Sequence, residues 1–275
     1  MNKKLMRMTV LIIFLLTIQF IYGQNIEMVF ISGGVFTMGS PGNEVNRNSD
    51  EFQRQITLGP FFIGKYTVTQ AEYERIMGKS PSRFKKEGDN LPVENVTWFD
   101  AIEFCNKLSE LEKLTPVYAI TGTGNERTVS WNRNANGFRL PTEAEWEYSC
   151  RAGTNTAFNT GNNVGTYEAN YDGKSPYNNN AAGAYIRKTV PVGSYQANEW
   201  GLYDMHGNVW EWCWDWYGNY AAGAQTNPIG PASGTYRVLR GGSWFDGGRN
   251  LRSAARFNYY PGNRNYFFSF RIARS

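Results

Sequence analysis

Few residues in this chain are equipped for catalysis. His206 is the only histidine among 275 residues, so a metal centre built from several imidazoles is excluded and any Ser–His–Asp relay would have to run through that one position. It lies in a Gly-Asn turn, "DMHGNVWE", where an imidazole ordinarily has a structural or solvated role. The three cysteines, Cys105, Cys150 and Cys213, fall on apolar helix faces or between tryptophans. A reactive thiol needs a neighbouring cation and solvent access, and a buried one behaves as a small apolar side chain. No phosphate-binding loop, Gly-x-Ser-x-Gly elbow or paired Cys-x-x-Cys occurs. The remaining chemistry belongs to Asp204 and Glu211, which bracket the turn. Their carboxylates and the carbonyls of Gly207 and Val209 could surround a hard cation such as calcium, or the two acids could simply cap turns. The residues alone leave both open, and for an enzyme reading the clustered acids Asp204, Glu211 and Asp215 would be the weakest of starting points.

The elements that would hold these groups are short. "EMVFISGGVFTMGS" alternates apolar and small residues around Gly33-Gly34 and reads as a hairpin of two strands. Thr69 caps a helix through Tyr73 and Ile76. Thr97 precedes Phe99, Ile102, Phe104, Cys105 and Leu108 at helical spacing. In "FRLPTEAEWEYSCRAG", Pro141 ends a short strand, Thr142 and Glu145 form a capping box, and Gly153 terminates a third helix. From Thr154 to Gln196 no period is sustained; loops of that length are functional, metal-pinned or disordered. The aromatic fraction is 16%. Together these give an α+β class, one domain with few helices, many loops and no internal repeat.

The N-terminus, Lys3, Lys4 and Arg7 ahead of an apolar run from Val10 to Ile21, reads as a signal peptide over residues 1–23. The run is shorter than the roughly 20 residues that span a bilayer, so the mature chain, 24–275, is expected without a transmembrane span and to be exported to a periplasmic, cell-surface or extracellular location. Loss of those three cations takes the formal charge from +4 to +1, and nothing in that balance points to nucleic acid.

Six ordered segments, "FISGGVFTMGS", "KYTVTQAEY", "LPVENVTWFDAIEFCNKLS", "FRLPTEAEWEYSCRAG", "GLYDMHGNVWEWCWDWY" and "RVLRGGSW…RSAAR…FSFRIAR", resemble the formylglycine-generating enzyme, or sulfatase-modifying factor, family over nearly the whole mature chain. The resemblance implies a single domain of C-type-lectin-like topology with little regular secondary structure. It also implies that Asp204, Gly207, Val209 and Glu211 form a structural calcium site. Activity does not follow from the fold. The family's aerobic enzymes use two cysteines after the GGS motif to bind copper and oxidise a substrate cysteine; here no cysteine follows Cys213 and Asp246 stands near the first position. Copper is therefore not expected, and neither is iron, because the family's non-haem iron members need several histidines and only His206 exists. Family disulfides from the equivalents of Cys105 and Cys150 would end at Ser253 and Ile272.

The tail, residues 240–275, resembles the variable region of retroelement-diversified proteins built on this fold. Phe245, Asp246, Gly247, Asn250, Ala255, Phe257, Asn258, Tyr259, Tyr260, Asn263, Asn265, Tyr266 and Phe267 suit the residue spectrum of such sites and are the expected ligand-binding positions. Gly241, Gly242, Trp244, Leu251, Arg252, Arg256, Pro261, Arg264 and Phe270 would hold the backbone between them. The function this implies is non-catalytic binding of a protein or glycan ligand by an exported monomer, with an oxidase acting on protein cysteine as the alternative.

Overall fold

The computed structural model describes residues 26–275 apart from 86, 87 and 89; the expected signal peptide lies outside the described residues. Gly33 and Gly34 do not close the expected hairpin. Strand β1 (Met28–Ile31) and β2 (Gly34–Met38) instead run on as one bent ribbon against β3 (Arg54–Leu58) and β4 (Phe61–Gly64), with Val35 opposite Thr57 and Val29 opposite Ile63. Gly33 has φ +77°, and a Cβ there would lie 2.4 Å from the Leu58 carbonyl oxygen. The glycine pair is thus a kink in a long strand where two backbones nearly touch.

Three helices follow: α1 (Gln70–Met77), α2 (Trp98–Leu111) and α3 (Glu143–Arg151). Each opens with the same reciprocal device. Thr69, Thr97 and Thr142 accept the N–H of Glu72, Asp100 and Glu145, whose side chains return to the cap N–H, satisfying donors that the first turn leaves unpaired. The third helix ends one residue earlier than Gly153, at Ala152 in the left-handed region. Arg139 makes only an isolated bridge to Ala273, so the short strand expected before Pro141 is absent. Between α2 and α3 lies the hairpin of β5 (Tyr118–Thr121) and β6 (Thr128–Trp131).

From α3 to β7 (Trp210–Trp216) the described chain has neither helix nor strand, yet it packs through its own cluster of Ala157, Phe158, Val164, Ala169, Tyr171 and Tyr177 against Leu251. Then come β8 (Gln225–Thr226), β9 (Arg237–Arg240), β10 (Phe257–Tyr259), β11 (Phe268–Ser269) and β12 (Ala273–Arg274). A four-stranded sheet in the order β10-β9-β7-β11 divides the molecule, and β12 lies beside β4 in a second sheet with β1. Along β7 the side chains alternate. Trp210, Trp212 and Trp214 join the α2 core, and Cys213 joins the core beneath α3. The expected α+β domain with little regular structure is what the chain forms.

Candidate functional site

The tail is clamped by buried arginines. Arg252 places its fork on Glu51 (2.7 and 2.8 Å) and reaches Glu44 at 2.6 Å. Arg256 grips Glu143 (2.6 and 2.9 Å), Arg271 grips Glu211 (2.6 and 2.7 Å), and Arg240 pairs with Glu147. Each guanidinium is met by a carboxylate from the body of the domain, the arrangement a buried charge requires. Of the expected backbone-holding residues, Arg252 and Arg256 act in this way. Arg264 does not: its side chain is exposed, with one 3.3 Å contact to Asp100.

Between the clamps lies an aromatic face. Phe245, 52% exposed, stacks parallel on half-buried Phe267 at 5.7 Å. Trp244 is buried beneath them and touches Phe245, Tyr266, Tyr185 and Phe84; Arg83 lies 4.7 Å from the Tyr266 ring centre. Phe257 and Tyr259, on the outer strand β10, are half-buried against Trp210 and Phe268. Tyr260, 48% exposed, packs on Tyr236 with the two hydroxyls 3.2 Å apart. Asn258 and Asn265 are half-buried and Asn263 is exposed.

Several expected contact positions face inward. Ala255 is buried and its N–H donates to the Arg252 carbonyl, so it has no surface to offer a ligand. Asp246 accepts hydrogen bonds from Trp210 Nε1 and Asn250 Nδ2, each at 2.9 Å, and from Ser243. Asp246 and Asn250 therefore brace the loop from inside. Gly247 abuts Ser175, where a Cβ would come within 3.0 Å, which leaves little room for variation. Conversely, Phe84, Tyr185, Tyr236 and Arg83 come from distant loops, and nothing in their local sequence marked them.

The catalytic candidates are internal. His206 is buried; its Nδ1 donates to the Leu251 carbonyl (2.6 Å) and its Nε2 accepts from the Asn159 N–H (3.1 Å), which fixes the neutral tautomer. Burial pushes its pKa down to about 4. Cys105, Cys150 and Cys213 are free and buried, and burial raises all three thiols, Cys150 to about 12. Cys150 Sγ lies 3.7 Å from Ser253 Oγ, Ser253 being one of the two tail positions at which the family resemblance implies a disulfide partner. At the Gly-Asn turn, both oxygens of Glu211 are filled: Oε1 by Arg271 and Thr67, Oε2 by Arg271 and Trp146. Gly207 uses its carbonyl to accept the Val209 N–H. Asp204 accepts the Gly193 N–H at 2.7 Å through Oδ2, while its buried Oδ1 has no partner among the described residues; burial lifts its pKa to about 6. As folded, this donor set does not fit calcium, because a cation would have to displace Arg271 or its neighbours from Glu211. No cluster of three or more His, Cys, Asp or Glu suited to a metal occurs among the described residues.

Residues 20–275 match the family model described as the sulfatase-modifying factor enzyme 1-like domain. Among solved structures, the chain is similar to Treponema denticola variable protein 1, with 32% identity and a TM-score of 0.78 over 90% of this chain and 94% of that one. Among sequences, it is 39% identical to the chaperone protein LppX of Paenibacillus barcinonensis, over 79% of this chain and 78% of that protein. It is 33% identical to the formylglycine-generating enzyme of Mus musculus, over 79% of this chain and 66% of that enzyme. With the motifs, the topology and these likenesses in agreement, the chain belongs to the sulfatase-modifying factor enzyme 1-like family, in its single-domain, C-type-lectin-like form.

Proposed function

We propose that this protein is a non-catalytic binding protein whose C-terminal aromatic face captures a protein or glycan ligand, and that the exposed positions of that face are diversified by a retroelement. The observation that carries the reading is the stacked Phe245–Phe267 pair over Trp244, held between arginine clamps and open to solvent. Aromatic rings present large contact area at small rotamer cost, and a solvent-facing ring cluster of this kind marks an interaction surface. Likeness to a protein whose name declares it variable supports the same reading. The contact set is Phe245, Phe257, Asn258, Tyr259, Tyr260, Asn263, Asn265, Tyr266 and Phe267; Asp246, Asn250 and Ala255 belong to the frame.

Against oxidase chemistry on protein cysteine stands the position near the first catalytic cysteine, where the Asp246 carboxylate is bound to Trp210, Ser243 and Asn250. The protein acts after export, as a monomer. The deciding experiment is to sequence the DNA flanking the gene and seek an imperfect copy of the segment encoding Trp244 to Arg274. A copy differing only at adenines, beside a reverse transcriptase gene, supports the proposal. Absence of such a copy, together with conversion of a cysteine-containing peptide to an aldehyde, overturns it in favour of the enzyme.

A further inference from the structure

Beside Asp215 of β7 lies a cavity of about 390 Å³ lined by Arg54, Asp215, Tyr220 and the loop through Pro228, Ile229 and Pro231. Its volume falls in the range of small-molecule sites. Asp215 is 4% exposed. Its Oδ2 accepts the Glu143 N–H at 2.8 Å, and Oδ1 makes no hydrogen bond among the described residues. Gly230, with φ +75°, lies against this side chain, and a Cβ there would stand 3.0 Å from Oδ1.

The second unfilled group is Arg54. Among the described residues its buried Nε has no partner, and its one hydrogen bond is a 3.5 Å contact from Nη2 to Met38 Sδ. The neighbouring Arg256 is paired with Glu143, whereas Arg54 forms no ion pair among the described residues. Buried polar atoms are ordinarily satisfied, and an unmatched charge is costly away from water. A guest that fills both groups must present a donor to Asp215 and an anionic acceptor to Arg54. A sugar ring has no platform here, because the guanidiniums of Arg54 and Arg256 lie 3.8 and 4.0 Å from the Tyr220 ring centre and cover it.

We propose that this cavity binds a free α-amino acid, with its ammonium on Asp215 Oδ1 and its carboxylate on Arg54, at a site separate from the aromatic face. Pro228, Ile229 and Pro231 leave an apolar wall for a short side chain.

The test is calorimetric titration of the full mature chain with glycine, L-alanine, L-serine and L-glutamine, alongside acetate, methylamine and glucose. Saturable binding of an amino acid is expected, with acetate and methylamine weaker by roughly tenfold or more, the loss of one charged contact. Arg54→Gln and Asp215→Asn should each weaken binding by a similar factor, and Phe245→Ala should not change it. Binding of none of the amino acids, binding of glucose in their place, or unchanged affinity in both variants overturns the proposal. A crystal soaked with L-alanine needs no variant: density bridging Asp215 and Arg54 is expected, and density elsewhere or none at all overturns it.

Discussion

Arg252 and Glu51, separated by 201 residues in sequence, meet in a buried two-pronged ion pair with N···O distances of 2.7 and 2.8 Å. The pair ties the frame of the C-terminal face to the loop before β3. Replacing Glu51 by Gln leaves the buried guanidinium with Glu44 as its carboxylate partner, and for the charged hydrogen bonds lost we expect about 1.5–3 kcal/mol, read from urea denaturation of the purified chain.

The exposed rings should behave differently from the core beneath them. Phe245→Ala and Tyr260→Ala remove half-exposed side chains and should change stability by less than about 1 kcal/mol. Phe268→Ala and Phe270→Ala, both fully buried, should cost about 3–5 kcal/mol. Equal losses in both sets, measured by the same unfolding curves, would show that the face is ordinary core.

His206 should stay neutral through the range in which a free imidazole titrates. Its folded pKa is about 4 against an ordinary 6.5, so between those values the unfolded chain binds the extra proton. The stability it contributes is complete above pH 6.5 and is lost as the pH falls toward 4. Its ring proton resonances should not move between pH 7.5 and about 5.5; a midpoint near 6.5 would contradict the buried, doubly bonded ring.

Glu211 offers a test of the turn. If its oxygens serve Arg271, Trp146 and Thr67, calcium and a chelator should give the same melting temperature, since a ligand that binds only the folded state would raise it. Glu211→Gln should lower that temperature in both media. A calcium-dependent rise that the substitution abolishes would restore the cation site.

All three cysteines are free and buried. A thiol reagent should therefore find none in the native chain at neutral pH and three after denaturation. Fewer than three under denaturing, non-reducing conditions would reveal a disulfide.

The helices were legible because capping is local: Thr69, Thr97 and Thr142 each sit three residues before their acid. Gly33-Gly34 was not, because its role depends on Leu58 and Gly59, which no local pattern connects to it. The same limit governs the tail. Asn and Asp are equally at home on a surface or inside a loop, so Asp246 and Asn250 read like Asn263 until Trp210 and Ser243 are placed beside them. The arginines announced a frame, but their partners Glu51, Glu143, Glu147 and Glu211 carried no signal of pairing. The rings of Phe84, Tyr185 and Tyr236 reach the face only through tertiary packing.

The last strand, β12, pairs with β4, and Arg271 just before it neutralises Glu211. Synthesised from the N-terminus, the chain therefore carries Glu211 without its guanidinium until a residue 60 positions further along has emerged, and until then the sheet of β1 and β4 lacks its third strand. A stop codon before Arg271 removes both the strand and the arginine and leaves the buried Glu211 without its guanidinium, the uncompensated charge that a folded interior tolerates least.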